Sequence, residues 1–170
     1  MFRNFISHLV LSATVISGAY AQEIEAVSES EAIPFEETER FQRGLENLKK
    51  IDGEAGQNVI DSLAEISPDL ARYTIEYPFA DIYNRPGLDL RSREIATIAA
   101  LTAMGNAQPQ LKVHIEAGLN VGLSEEEIKE VILQMSVYAG FPAALNGMQA
   151  AKEVFSLQEA DKTGGKAVDE

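Results

Sequence analysis

The chain has 170 residues, a formal net charge of −13 from 14 Lys+Arg against 27 Asp+Glu, and no cysteine. That length suits one domain with enough core to fold without staples. The absence of cysteine excludes disulfides, thiol nucleophiles and thiolate metal sites, and the acidic balance argues against nucleic acid or an anionic membrane as partner.

Residues 1–25 read MFRNFISHLVLSATVISGAYAQEIE. Arg3, an apolar run over Leu9–Ala19 and Ala19-Tyr20-Ala21 ahead of Gln22 make the pattern of a signal peptide cleaved after Ala21. The run is shorter than the ~20 residues a bilayer core needs. Residues 1–21 are therefore expected to be removed on the way to the periplasm or the outside of the cell. His8 goes with them, which leaves His114 as the single histidine of the mature chain. Residues 22–36, QEIEAVSESEAIPFE, are acidic and read as a flexible segment.

The folded domain is expected over 37–157. Glu37–Ile51 is amphipathic, with Phe41, Leu45 and Leu48 in register and Gly53 behind it. Ala55–Ile66 repeats the pattern with Val59, Leu63 and Ile66. Ser67-Pro68-Asp69 supplies an N-cap, a first-turn proline and a first-turn acid for a helix running towards Tyr77. Asp89 caps the next helix. Its Ile95–Met104 stretch is apolar almost all round, which predicts burial on most sides, in a large core or a subunit interface. Gly105-Asn106 ends it. Pro109 opens the helix that carries His114, and Asn120-Val121-Gly122 stops that one. Ser124 and Glu127 form a capping box for 125–139, and Gly140-Phe141-Pro142 breaks to a last helix through Phe155. Seven helical stretches, short loops and no convincing strand predict an all-α domain. The tail 158–170, QEADKTGGKAVDE, has no apolar stripe and reads as disordered.

Few residues in this frame carry chemistry. His114 shares a helix face with Leu111, Ile115, Gly118 and Leu119, so it is either a hydrogen-bonded core residue or an acid/base group. Glu94 stands in the first turn of the most apolar helix, either as a favourable N-terminal charge or as a carboxylate at the mouth of a buried site. Arg85 precedes the Pro86-Gly87 turn, which presents it from a fixed loop; it either holds a ligand carboxylate bidentately or pairs with Asp81 or Asp89. No metal is expected, because Glu125, Glu126 and Glu127 are consecutive and point around their helix instead of converging. There is no Gly-rich phosphate loop and no GxSxG elbow.

Several pieces in order nevertheless resemble the carboxymuconolactone decarboxylase family: RPGLD followed by an R-S-R helix start, QLKVHI, the A-x-N-x-G turn before EEIKEVI, and YAGFPAA leading into AKEVF, with RFQRGLENLKKIDG similar to the family's opening helix. The resemblance spans about residues 40–156. It implies an alkylhydroperoxidase D-like (AhpD-like) fold of about six to seven helices that assembles into homotrimers or homohexamers. One arm of that family, the peroxidases, works through a Cys-x-x-Cys pair ahead of the histidine; here the stretch is Ala107-Gln108-Pro109-Gln110, so dithiol chemistry is ruled out. The other arm is similar to the cofactor-free decarboxylase that converts γ-carboxymuconolactone to an enol-lactone. Against that arm the chain departs in having no tryptophan in Phe79–Tyr83, Gln110 in place of a glutamate, and Glu94 in place of a small residue.

What the resemblance implies is a lyase acting without cofactor on a small lactone or keto carboxylic acid. His114 would supply a proton, Glu94 would orient it or relay its proton, and Arg85 with help from Arg93 would bind the substrate carboxylate. Two alternatives stay open. One is a catalytically divergent secreted oligomer that binds small molecules or acts as a scaffold; the other is a related hydrolase or isomerase of another lactone or keto acid.

Overall fold

A polar residue ahead of three of the amphipathic stretches, Thr38, Asp89 and Ser124, sets where those helices begin. In a computed structural model of the chain, which describes residues 38–53 and 55–164, seven α-helices follow in order: α1 Glu39–Asp52, α2 Ala55–Ala64, α3 Pro68–Ile75, α4 Leu90–Met104, α5 Gln108–Asn120, α6 Glu125–Tyr138 and α7 Phe141–Gly164. No strand occurs among the described residues. The expected signal peptide 1–21, the acidic segment 22–36 and residues 165–170 of the expected tail lie outside them. Among the described residues no helix is long and apolar enough to cross a membrane.

Caps explain most of the boundaries. The Thr38 hydroxyl accepts the Phe41 amide at 3.1 Å, so α1 starts two residues later than the hydrophobic pattern alone indicates. Asp89 accepts the Ser92 amide at 2.7 Å, and Ser124 and Glu127 close the predicted capping box. Gly105 ends α4 with φ of 71°, a left-handed conformation that costs glycine nothing.

The core lies among α4–α7, where Ile98, Leu111, Ile115, Leu123, Ile128 and Ile132 are closed off from solvent. Gly147 lets α7 sit close: a Cβ there would stand 2.8 Å from Ile132 Cγ2 and 3.0 Å from Thr102 Cγ2. A second group, α1–α3 with the segment after α3, is joined to this core by the packing of α1 on α5. That contact brings the C-terminal end of α1 to the helix of His114.

Three features differ from expectation. The chain does not leave its helix near Tyr77 but continues as a π-helical segment, Glu76–Ile82. Pro78 has no N–H to give Thr74 and its ring crowds that carbonyl, so the wider turn relieves a conflict an α-helix could not; the Tyr83 amide then reaches the Pro78 carbonyl at 2.7 Å. The last helix runs on to Gly164, so residues 158–164, expected in the disordered tail, are helical. The Leu157–Ala160 run consists of good helix formers, and the Gly164-Gly165 pair marks the end. Finally, α4 is not buried on most sides within the single chain. Glu94, Ile98 and Thr102 form its buried face, while Ile95 and Met104 are exposed.

The π segment is held by charge. Glu76, almost wholly buried, accepts the Thr38 hydroxyl at 2.7 Å and Arg40 Nη1 at 3.2 Å, and Arg40 also grips Asp81. Asn47 Nδ2 donates to the Phe79 carbonyl at 3.0 Å. These bonds fix which way Phe79 and Tyr83 project.

Candidate active site

The buried face of α4 meets α5, and there two of the four predicted site residues come together. His114 Nδ1 lies 2.9 Å from Glu94 Oε2, so the ring N–H donates to the carboxylate. Glu94 is fully buried, and its other oxygen, Oε1, is buried without a hydrogen-bond partner. A carboxylate so placed fixes the tautomer and orientation of the ring, leaving Nε2 as the nitrogen free of Glu94. Of the two alternatives raised by the sequence, the hydrogen-bonded one describes His114, whose side chain is only partly buried.

His114 also lines a cavity of about 670 Å³, a volume in the range of small-molecule sites. Leu48, Ile51, Val59, Leu63, Phe79 and Val113 make its wall largely apolar. Besides His114 the polar groups are few: Asp52 at the last position of α1, Thr74 on α3, whose hydroxyl donates to the Leu70 carbonyl, Tyr83 behind the π segment, Thr97 on α4, and Gln110 one turn before the histidine. Tyr83 and Thr97 share a hydrogen bond of 3.0 Å, and the Tyr83 ring lies 5.2 Å from that of Phe79. Burial, with the Glu94 charge adding to it, pushes the Tyr83 phenol up to about 12, so it is a hydrogen-bond donor and not a phenolate at neutral pH.

Asp52 is the unexpected member. Its side chain is buried, Oδ1 has no hydrogen-bond partner, and burial, reinforced by Glu116 and Glu94 and partly offset by His114, pushes its carboxyl up to about 6. Its position at the C-terminus of α1, where backbone carbonyls face outwards, disfavours the charge further. A signal was present in the sequence: Phe41, Leu45, Leu48 and Asp52 follow one another at spacings of four, three and four, so the carboxyl continues an apolar stripe.

The two predicted arginines stand elsewhere. Arg85 is exposed and its carbonyl accepts Arg93 Nη2 at 2.8 Å; the Arg93 guanidinium lies 5.6 Å over the Tyr83 ring. Neither lines the cavity. Arg85 does not pair with Asp81, which Arg40 takes, and Asp89 is used as a cap. Among the described residues, no three His, Cys, Asp or Glu side chains converge as a metal site.

The described residues thus form an all-helical domain with a carboxylate–histidine pair on a largely apolar cavity. Residues 68–153 match the model of the carboxymuconolactone decarboxylase family, and the chain belongs to that family. It is 35% identical over 118 residues to a 4-carboxymuconolactone decarboxylase of Acinetobacter baylyi, covering 69% of this chain and 87% of that protein. It is also 32% identical over 101 residues to an uncharacterized 15.0 kDa protein of Paracoccus denitrificans, covering 59% of this chain and 75% of the relative. A nitrosuccinic acid decarboxylase of Metarhizium robertsii is 27% identical over 109 residues, 64% of this chain and 76% of that protein. The family is thus one of decarboxylase type.

Proposed function

We propose that the protein is a cofactor-independent decarboxylase of a small lactone or keto carboxylic acid, with His114 as proton donor and Glu94 as the group that orients it or relays its proton. The observation that carries this reading is the buried Glu94–His114 pair, 2.9 Å apart, on the wall of a largely apolar cavity.

The chemistry needs a carboxylate beside a carbon whose carbanion can delocalise into an acceptor. The C–C bond to the carboxyl breaks, CO2 leaves, and the electron pair spreads into an enolate or dienolate. Apolar walls penalise the localised carboxylate more than the spread charge that replaces it. Tyr83 and Thr97 have hydroxyls on the same wall that can donate to the enolate oxygen. The His114 imidazolium then gives its Nε2 proton to carbon and is reprotonated from solvent, while the Glu94 carboxylate keeps the ring oriented throughout. The names of two relatives support the reading, since 4-carboxymuconolactone and nitrosuccinic acid both place a carboxylate within reach of an electron sink, a conjugated lactone carbonyl or a nitro group.

The reading includes self-association. Leu133, Val137, Tyr138, Phe141 and Leu145, from the end of α6 and the start of α7, are all more than half exposed. Large side chains exposed together mark an interaction surface, and a homotrimer or homohexamer built on it would leave the cavity wall of α1 and α5 intact.

The test is CO2 release from 4-carboxymuconolactone, nitrosuccinate and 4-hydroxy-3-oxobutanoate by wild type and His114→Gln. Release from at least one substrate, reduced about a hundredfold or more in the variant, is expected. A folded wild-type protein that releases no CO2 from any of them would shift the reading to the binding or scaffold alternative.

A further inference from the structure

The cavity holds an acid it does not neutralise. Asp52 is 7% exposed, and among the described residues its Oδ1 has no hydrogen-bond partner and no ion pair reaches it. Among the described residues that line the cavity there is neither lysine nor arginine. The charged groups that face Asp52 from neighbouring helices are Glu116 and His114 on α5 and Glu94 on α4. From the π segment, Glu76 and Asp81 are already engaged by Arg40, and Arg72 adds to Glu76. Among the described residues that line the cavity, the basic side chain near Asp52 is thus His114, and it is bonded to Glu94. A carboxyl titrating near 6 in this setting is mostly ionised at pH 7.5.

A buried acceptor without a partner is costly to leave so, and a ligand group that donates to it recovers that cost. An anionic group set against the same wall meets a like charge across a medium that screens poorly, with no lysine or arginine on that wall to offset it. We propose that Asp52 sets the substrate class of this cavity: it receives a hydrogen-bond-donating end of the ligand, a hydroxyl or an amine, and rejects ligands that carry a second carboxylate there. This rests on the decarboxylase reading for the reaction but not for the binding. The substrate is then a singly charged acid with a donor at its far end, and the doubly charged substrates of the named relatives fit this chain poorly.

The test compares two four-carbon acids that differ at one end, 4-hydroxybutanoate and succinate, titrated at pH 7.5 into protein labelled for NMR, with the His114 ring signals as the readout. Wild type is expected to bind 4-hydroxybutanoate at least about tenfold more tightly than succinate, the factor a charge-assisted hydrogen bond against a like-charge contact supplies. Asp52→Asn, nearly the same shape without the charge, is expected to bring the two affinities within about threefold. Equal binding of both acids by wild type overturns the proposal, as does a preference for the hydroxy acid that survives in Asp52→Asn, or no His114 response to 4-hydroxybutanoate. The wild-type comparison needs no variant to fold. Because binding is read without turnover, a failure here leaves the CO2 assay standing, and absence of CO2 release leaves this preference standing.

Discussion

Asp52→Asn makes the stability of this protein report the charge buried in its cavity. The carboxyl is raised from 3.8 to about 6 in the folded chain, chiefly by burial. A raised folded pKa means the native state holds the proton more tightly than the unfolded one. The contribution to stability is therefore complete below about pH 3.8 and is lost as pH rises through about 6. At about 1.4 kcal/mol per unit, a shift of about two units is worth at most about 3 kcal/mol, and contact with solvent in the cavity reduces this to about 1–2 kcal/mol. Asparagine cannot ionise, so the variant escapes the loss. Urea unfolding of both proteins at pH 4.5 and pH 8 separates this term from the other carboxylates, which cancel in the difference. The variant is expected to be close to wild type at pH 4.5 and more stable by about 1–2 kcal/mol at pH 8. A stability difference that stays constant between the two pH values, or one that favours wild type at pH 8, would refute the claim that Asp52 is buried and uncompensated.

Glu94→Gln keeps the shape of the buried pair and removes its charge; CO2 release should fall about ten- to hundredfold, seen as kcat in steady-state assays, because the imidazolium loses its counter-charge. Gly147→Ala should destabilise by about 1–2 kcal/mol in urea unfolding, although alanine is the better helix former. Its methyl would sit 2.8 Å from Ile132 and 3.0 Å from Thr102, both buried and β-branched, and neither can swing aside. If the proposed self-association uses this face, replacing Val137 and Phe141 together by glutamate gives a monomer in sedimentation velocity where wild type sediments as a larger species, with little loss of helicity, since both side chains project from the surface of the single chain.

Much of the fold is legible in the residues because local rules govern it. Asp89, Ser124 with Glu127, and Gly105 mark helix ends through bonds within one turn, and the structure uses each as read. The π segment was not legible: Pro78 signals only that an α-helix cannot continue, while the widened turn depends on Glu76 and the Phe79 carbonyl finding partners in Arg40 and Asn47 of α1. The site divides in the same way. Glu94 and His114 lie on different helices, and no spacing rule joins residues 20 apart across a turn; each looked ambiguous alone, and the family resemblance was needed to couple them. Asp52 was overlooked because a carboxylate near a helix end is usually solvated, although it extends the stripe of Leu45 and Leu48. Arg85 looked well presented by its turn, but the direction of that loop is a tertiary property, and neither it nor Arg93 lines the cavity.

The central claim is that His114, held by Glu94, donates the proton that replaces CO2. Decarboxylation in deuterium oxide tests it most directly, with the product analysed by mass and the rate compared between wild type and His114→Gln on whichever activated acid is turned over. The account predicts one solvent deuteron in the product and a loss of about two orders of magnitude or more in rate with the variant. CO2 release that continues at the wild-type rate in His114→Gln would contradict it.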